Sequence, residues 1–520
     1  MPDWRRLRRV SLLCCALLPG AAWACGDGVV FEDGNGDGIR QPRERGLPGV
    51  RVSNGREIVS TDAAGAWRGL PADADGVAFV IKPTGFAVAS GDGGLPAFWR
   101  TADDGGCEFA LQRRDEAADG LKVIVSSDPQ TGTTEEVAHY ARIVESALVP
   151  HRDATLGLTL GDIANDDLAL YPDINRATAS LGVPWLHVPG NHDLDMDARD
   201  DHGSLATYRR VFGPDTYAWE EAGAAFVMLD NVIAQPGGRP AYVGGLRGDQ
   251  FDFLERYLAA LDRDRLLVVA AHIPWFDTAA AGRAPTIRAE DRERLFALLQ
   301  PFPKVLLLSG HRHTQRHYFH GADSGWRGDT PLQEYNVGAM SGAYWSGVDD
   351  AAGIPVSTMA DGTPRGFATL LVARDGSHRL AWHPTSRPAG DPASTDAMAL
   401  HAPRLLRQGA YPAWGAYANV FMGHDGTRVE YRIDGGDWKP MAKVLAPDPR
   451  LLLENARDDL ADALRGLDRS PEAEPSTHLW RGALDTKLAA GLHDVEVRTF
   501  DAAGGEHRAR IGYRLDEWRE

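Results

Sequence analysis

Residues 184–193 read PWLHVPGNHD, an apolar run that ends abruptly in turn-forming and polar residues. Four more stretches have the same form: LKVIVSSD (121–128), TLGLTLGD (155–162), RLLVVAAHIP (265–274) and KVLLLSGHRH (304–313). Helical stretches alternate with these runs, and continuous apolar runs of this length are typical of strands buried on both faces. The middle of the chain, residues 118–386, is therefore predicted to be an α/β domain.

The polar residues that end these runs are of the kinds that bind metal ions. A lone GD dipeptide is ordinarily a turn, and a single HxH motif binds metal only in some proteins. Loops at the carboxyl ends of strands in an open α/β sheet converge above the sheet, so these side chains are expected to meet. The set comprises Asp128, Gln130, Asp162, Asn191, His192, Asp193, His272, His311 and His313.

Taken in order, SSDPQ, GDIANDD, GNHD, AHIP and GHRH resemble the motif series of the calcineurin-like metallophosphoesterases. The resemblance implies a four-layer αββα core that holds two divalent ions, with Asp162 bridging them. It places Asp128, Gln130 and His313 on the first ion, and Asn191, His272 and His311 on the second. Oxygen and nitrogen donors suit Mn, Fe, Zn or Mg.

The same resemblance implies a hydrolytic mechanism. Phosphate esters repel hydroxide, and two metal ions neutralise their oxygens and lower the pKa of a bound water. A metal hydroxide would attack phosphorus while His192 protonates the leaving group. Asp193, the next residue, is expected to orient the His192 ring, because a carboxylate on one ring nitrogen fixes the tautomer.

Two motifs depart from the family pattern. Gln130 stands where the family more often has His, and two interpretations follow: its amide oxygen is a metal ligand, or it bonds a metal-bound water. In GDIANDD the fifth position is Asn165, and Asp166 is a candidate for the supporting acid that the family usually has in this motif.

Three aromatic residues near the motifs, Trp275, Tyr344 and Trp345, have two interpretations. They could wall a substrate pocket for the leaving group. The alternative is core packing, since Tyr and Trp are often buried with one polar end satisfied.

Residues 25–116 carry short alternating segments between Gly, Pro and Asp turns, which predicts a β-sandwich. This region resembles the B-type repeats of cell-surface adhesins. Its FEDGNGDGIRQPRE segment has calcium-loop spacing, with candidate ligands Asp33, Asn35, Asp37 and Glu44. A structural calcium ion or a solvated turn is expected there.

The first 24 residues read as an export signal, with a basic start, an apolar run and an A-x-A-like site at residues 22–24. The apolar run is shorter than the roughly 20 residues that span a bilayer. A lipoprotein is a lesser alternative, because Cys25 sits at the cleavage point. A periplasmic or secreted protein is expected, and Cys25 and Cys107 are expected to form a disulfide in that oxidising compartment.

After a Pro- and Ser-rich linker, residues 396–520 carry strand-like segments and a charged, helical stretch, ENARDDLADALRGLDRS, so a C-terminal β-rich domain is predicted. The 520 residues are 43% hydrophobic and 25% charged, as in globular proteins. A net charge of −18 argues against a nucleic-acid-binding surface.

These observations predict an exported, metal-dependent phosphoric ester hydrolase that acts on a phosphorylated substrate, either a monoester or a diester. The alternative is an envelope-binding protein that keeps a metallophosphoesterase scaffold with weak catalysis. The nearly complete ligand set disfavours that alternative.

Overall fold

The computed structural model describes residues 25–71, 76–101, 104, 106–115, 120–279, 282–388, 390–501 and 503–517. The predicted export signal, residues 1–24, lies outside the described residues. Within these ranges no helix has both the length and the apolar character needed to cross a membrane.

The N-terminal part is a β-sandwich of two four-stranded sheets, ordered β4-β1-β8-β6 and β3-β2-β5-β7. Its strands are β1 (Gly28–Glu32), β2 (Arg51–Ser53), β3 (Ile58–Ser60), β4 (Ala66–Trp67), β5 (Val77–Val80), β6 (Phe86–Val88), β7 (Trp99–Thr101) and β8 (Glu108–Arg113). A disulfide joins Cys25 to Cys107, with their Cα atoms 5.2 Å apart.

A buried lysine ties this sandwich to the central part of the chain. The Lys82 side chain is 1% exposed, and its Nζ lies 2.6 Å from a carboxylate oxygen of Glu221 and donates to the carbonyl of Glu220 at 2.7 Å. Phe79 of β5 also packs edge-on against the Tyr217 ring. A buried cation with a carboxylate and a carbonyl as partners fixes the two parts in one arrangement.

The central part alternates strands and helices. Its elements are β9 (Leu121–Ser126), α1 (Thr134–Ile143), β10 (Leu156–Leu160), α2 (Tyr171–Ala179), β11 (Trp185–Val188), α3 (Ala206–Phe212), β12 (Tyr217–Glu221), β13 (Ala224–Met228), β14 (Val232–Ala234), β15 (Tyr242–Gly244), α4 (Gly248–Ala259), β16 (Leu266–Ala270), α5 (Ala289–Leu299), β17 (Val305–Ser309), β18 (Arg316–His320), β19 (Leu332–Asn336), β20 (Gly366–Val372) and β21 (His378–Pro384).

Two mixed sheets form the centre of this part, ordered β11-β10-β9-β20-β21 and β12-β13-β16-β17-β19-β18. Alternate residues of β9 face opposite sides, as the two-residue period of a strand requires. Ile124 packs in one cluster with Tyr140 of α1 and Ile174 of α2, whereas Val123 and Val125 belong to the cluster shared with the second sheet. Helices α4 and α5 add their apolar faces to that second cluster. The predicted αββα fold class is confirmed.

The C-terminal part is also β-rich, as predicted, with sheets ordered β22-β24-β28-β27 and β23-β30-β29-β25-β26. Its elements are β22 (Met398–His401), β23 (Leu405–Arg407), β24 (Gly415–Val420), β25 (Val429–Ile433), β26 (Lys439–Pro440), β27 (Ala442–Pro447), α6 (Pro449–Asp459), β28 (Pro475–Ala483), β29 (Gly491–Phe500) and β30 (Glu506–Asp516). The helix predicted over ENARDDLADALRGLDRS begins earlier, at Pro449 behind the Asp448 cap, and ends at Asp459.

A buried polar network joins the central and C-terminal parts. The Asp361 carboxylate accepts a hydrogen bond from the backbone N–H of Gln315 at 2.8 Å and lies 3.1 Å from Nε2 of His478. The Asn419 amide donates to the Asp361 carbonyl at 2.9 Å and to the Asp448 carboxylate at 2.8 Å. Gln315 lies two residues after the GHRH motif, so its hydrogen bond to Asp361 connects the motif loop to this network.

Replacing Asp361 with Ala is expected to lower the free energy of unfolding by about 3 kcal/mol at pH 7, since the loss leaves Nε2 of the buried His478 without its carboxylate partner. Burial by itself raises the pKa of Asp361, but the hydrogen bond and charge of His478 hold it below the ordinary value of 3.8. The Asp361 carboxylate therefore stabilises the fold fully above about pH 3.8, and this stabilisation is lost as the pH falls through the lowered pKa of the folded state.

Urea denaturation at pH 7 and at pH 3 would measure both effects, with a smaller difference between variant and wild type at pH 3. The exposed Asp437→Ala is the matched control and should stay within about 0.5 kcal/mol of wild type. An equal effect of the two substitutions would contradict the role given to Asp361.

Candidate metal centre

Each predicted ligand follows the carboxyl end of a strand by two to four residues. Strands β9, β10 and β11 run parallel in the first sheet, and β16 and β17 run parallel in the second. The loops after these strands converge, as expected for parallel strands. They carry Asp128, Gln130, Asp162, Asn191, His272, His311 and His313.

One half of the centre is built around Asp162. Nε2 of His272 lies 3.3 Å from Oδ2 of Asp162, 3.1 Å from Oδ1 of Asn191 and 3.2 Å from Nδ1 of His311. One ligand atom from each of Asp162, His272 and His311 lies within 4.8 Å of the others. This spacing is small enough for a single ion to contact all three.

The other half contains Asp128, Gln130 and His313. Nε2 of His313 lies 3.4 Å from Oδ1 of Asp128, and the backbone N–H of His311 donates to the Asp128 carboxylate at 3.1 Å. Within the described part of the chain, neither amide atom of Gln130 nor Nε2 of His313 has a hydrogen-bond partner, although both residues are buried. Unpartnered buried polar atoms are costly, so this half fits a bound ion or its water.

The backbone at the centre is strained. Non-glycine residues seldom adopt positive φ, yet the chain does so at Asp128 (47°), Gln130 (44°), Asp162 (49°), His311 (73°) and His313 (48°). Each such residue costs of order 1–3 kcal/mol and persists only where the surroundings enforce it. Strain concentrated on ligand-type residues is characteristic of a functional site.

Hydrogen bonds to backbone carbonyls orient two of the rings. Nδ1 of His272 donates to the Leu160 carbonyl at 2.8 Å, and Nδ1 of His313 donates to the Gly342 carbonyl at 2.5 Å. Each bond leaves Nε2 directed at the centre. Such second contacts fix the tautomer of histidines that bind metal.

The carboxylate of Asp162 shapes the charge of the neighbouring rings. Burial acts to lower the pKa of His272, but the charge of Asp162 and its hydrogen bond, with a smaller effect from Asp128, raise it to about 9. Burial and the charge of His272 lower the pKa of His311 to about 3. Burial acts to raise the pKa of Asp162, yet the charge and hydrogen bond of His272 hold it well below its usual range. Positive charge is therefore favoured at His272, beside Asp162, and disfavoured at His311.

The side chain of Gln130 provides a test of the first ion's site. We expect Gln130→Ala to weaken the binding of one of two divalent ions by roughly 10–100-fold, the usual effect of removing a group that supports a metal. Competition with a fluorescent chelator would measure both affinities. Gln408→Ala in the C-terminal part is the control, and unchanged affinities in Gln130→Ala would contradict a role for this amide.

The prediction that Asp193 orients His192 is wrong. Nδ1 of His192 instead lies 2.9 Å from Oδ1 of Asp166, a residue that also has positive φ. This contact leaves Nε2 as the nitrogen available for proton transfer. The Asp166 partner comes from the loop after β10, so it is remote in sequence from the ring that it orients.

Asp193 has a structural role in the same pair of loops. Its fully buried carboxylate accepts hydrogen bonds from the backbone N–H groups of Gly190 at 2.8 Å and Ile163 at 3.1 Å, and from the Tyr171 hydroxyl at 2.9 Å. Burial and the nearby charge of Asp162 raise the pKa of Asp193 to about 6. The residue therefore holds the GDIANDD and GNHD loops together.

Of the three aromatic residues considered as pocket walls, two are core residues. Trp275 is 0% exposed, and Trp345 is 1% exposed with its Nε1–H donated to the Pro129 carbonyl at 3.1 Å. Only Tyr344 is open to solvent, at 57% exposure, with its ring stacked 4.3 Å from the His313 ring. The pocket interpretation is therefore wrong for both tryptophans.

The loop with calcium-binding spacing is closed by its own hydrogen bonds. The Asp33 carboxylate accepts from Gly36 N–H at 2.7 Å and from Gly38 N–H at 3.1 Å, and the Glu44 carboxylate accepts from Gly34 N–H at 3.0 Å. The amide of Asn35 donates to Asp37 at 2.8 Å. Calcium at this loop stays a prediction.

Comparison with known families agrees with this geometry. Three family models match successive parts of the chain: the N terminal of calcineurin-like phosphoesterase on residues 35–114, calcineurin-like phosphoesterase on 121–315, and the C terminal of calcineurin-like phosphoesterase on 334–507. The chain belongs to the calcineurin-like phosphoesterase family. All of the ligand-type residues above lie within the second match.

Two curated relatives resemble parts of this calcineurin-like phosphoesterase. Purple acid phosphatase 21 of Arabidopsis thaliana is 28% identical over 185 residues, which is 32% of this chain and 39% of that protein. The match thus spans well under half of the plant protein. A probable cyclic nucleotide phosphodiesterase of Psychrobacter arcticus is 22% identical over 214 residues, covering 38% of this chain and 71% of that protein.

Among solved structures, purple acid phosphatase PPD1 from yellow lupin (Lupinus luteus) seeds is similar to this calcineurin-like phosphoesterase. It is 12% identical, with 65% of this chain and 72% of that chain covered and a TM-score of 0.39.

Proposed function

We propose that this chain is an exported phosphoesterase that hydrolyses phosphate mono- or diesters at a centre of two divalent ions. The observation that carries the proposal is the close grouping of Asp162, His272 and His311, together with buried side-chain atoms of Gln130 and His313 that have no hydrogen-bond partner among the described residues. Two neighbouring ions would account for the ligand-type groups in both halves of the centre.

The chain's own residues divide between the two ions. Asp128, Gln130 and His313 would hold one, Asn191, His272 and His311 would hold the other, and Asp162 would contact both. When bound, Mn, Fe, Zn or Mg ions neutralise phosphoryl oxygens and make a water more acidic.

Proton transfer to the leaving group is assigned to Nε2 of His192. Its side chain is 29% exposed, so a substrate can reach it, and Asp166 holds the other ring nitrogen. The carboxylate keeps the ring oriented. His192 and Asp166 therefore act together in the departure of the alcohol.

Export is part of the proposal. It rests on the basic start, short apolar run and small-residue site of the first 24 residues. A disulfide between Cys25 and Cys107 suits an oxidising compartment. N-terminal sequencing of the processed protein should begin near Cys25, and an intact Met1 on the exported protein would contradict cleavage.

The test of the function is hydrolysis of p-nitrophenyl phosphate and bis-p-nitrophenyl phosphate by metal-depleted protein resupplied with Mn, Zn, Fe or Mg. Turnover that requires an added ion supports the proposal, and the preferred ester separates monoesterase from diesterase. No turnover with any ion would contradict it and favour a role in binding an envelope component.

A further inference from the structure

A cleft of about 310 Å³ opens beside the metal centre, between residues 191–204 and the β14–β15 hairpin. It is lined by Asp166, Asn191, His192, Leu194, Asp195, Met196, Ala198, Ser204, Ala234, Gln235, Pro236, Gly237, Ala241 and Tyr242. At its inner end the Tyr242 ring lies 6.0 Å, edge-on, from the ring of His311.

The cleft lies where the leaving group of a bound ester would extend. His192 and the ligand-type Asn191 form one wall, so the cleft begins where the proton would be delivered. An ester whose phosphoryl group lies at the metal centre, with its bridging oxygen at His192, extends its leaving group into this space.

The walls are mainly apolar, and both of their carboxylates already have partners. Leu194 forms a buried base, and Met196 is 70% exposed at the rim. Of the two carboxylates, Asp166 contacts His192, and Asp195 accepts hydrogen bonds from both the backbone N–H and the hydroxyl of Thr207 at 2.7 and 2.6 Å. Among the described residues that line the cleft, none is Lys or Arg.

A second cleft of about 260 Å³ lies between the GHRH loop and the C-terminal part. Its lining contains two arginines, Arg312 and Arg316, and three acidic residues, Asp277, Asp361 and Glu474. Neither cleft therefore has a lining of net positive charge. The cleft beside His192 is expected to select against negative charge, because two carboxylates and no lysine or arginine are among the residues that line it.

We propose that the leaving group is an uncharged, apolar alcohol of about the size of an aryl ring, held between Leu194, Met196 and Tyr242. This inference rests on the proposed function. In the step, the oxygen of a water bonds to phosphorus, one proton of that water passes to solvent, and the bond from phosphorus to the leaving oxygen breaks. The electron pair stays on the leaving oxygen, which takes the proton from Nε2 of His192.

The test compares phenyl phosphate with 4-sulfophenyl phosphate on the metal-loaded full chain. The sulfonate makes the phenol a better leaving group, so intrinsic reactivity favours the charged ester. We nevertheless expect kcat/KM to be about tenfold lower for 4-sulfophenyl phosphate, because the cleft does not compensate an anion.

Met196→Lys places a cation at the rim and should reduce this preference by roughly tenfold or reverse it. Leu445→Lys is the matched control, since Leu445 is 74% exposed and lies on β27, outside the residues that line the cleft. It should leave the preference unchanged. Equal kcat/KM values for the two esters, or a preference that Met196→Lys does not alter, would overturn the inference and leave the proposed function intact.

Binding supplies a readout that does not need turnover. Calorimetry should show benzylphosphonate binding about tenfold more tightly than 4-sulfobenzylphosphonate, with the difference reduced in Met196→Lys. If no ester is hydrolysed with any ion, the proposed function fails and the leaving-group inference fails with it, whatever the phosphonate affinities. Equal affinities would overturn the inference.

Discussion

Replacing Asp162 with Asn is expected to reduce kcat/KM by at least about 10³-fold and to lower the metal content of the protein. The carboxylate is the proposed shared ligand, and the loss of metal-based charge stabilisation is worth several kcal/mol. Asn keeps the side-chain volume and tolerates the positive φ of 49° at this position. Any loss of activity then reports the missing charge rather than a disturbed loop.

The measurement is a steady-state assay on metal-loaded protein, with bound metal determined by elemental analysis after dialysis. Asp173→Asn, an exposed residue paired with Arg176 on α2, is the control and should match wild type within about twofold. Full activity in Asp162→Asn would rule out this residue as the shared ligand.

Replacing His192 with Ala is expected to reduce the hydrolysis of an alkyl phosphate by about 10²- to 10⁴-fold. The reason is that an alkoxide is a poor leaving group until it is protonated. For p-nitrophenyl phosphate, whose leaving group needs no proton, the loss should be less than about tenfold. The dependence of the loss on the leaving group separates proton transfer from a merely structural contribution.

Two neighbouring acids extend this prediction. Asp166→Asn should reduce the hydrolysis of the alkyl phosphate in the same direction but by less, since it removes the charge that orients the His192 ring. Asp167→Asn is the matched control, because the Asp167 carboxylate caps its own turn at the backbone N–H of Ala169. Equal losses with both esters in His192→Ala would contradict its assignment as the proton donor.

Much of the fold could be predicted because the strands and the site are specified locally. Each apolar run from LKVIVSSD to KVLLLSGHRH forms a buried strand, and each strand ends two to four residues before its ligand-type residues. The connection from strand to loop needs no long-range information, so the position of Asp128 or His272 relative to its strand could be read from sequence.

What the sequence did not reveal depends on tertiary contacts. Nothing near His192 distinguishes Asp193 from Asp166 as its partner, because the choice follows from how the loops after β10 and β11 meet. The same is true of Trp275 and Trp345. The sequence shows that both lie near the motifs, but it does not show that they are buried. The sequence indicates Asp166 only as a candidate supporting acid. No motif in the sequence predicts that Met196 and Tyr242 line a cleft.

Two divalent ions are proposed to bind at this centre with Asp162 as their shared ligand. Anomalous diffraction from crystals of the chain loaded with Mn²⁺ tests this most directly. We predict two peaks about 3.5–4 Å apart, one beside Asp128 and His313 and the other beside His272 and His311. A single peak, or none near Asp162, would contradict the claim.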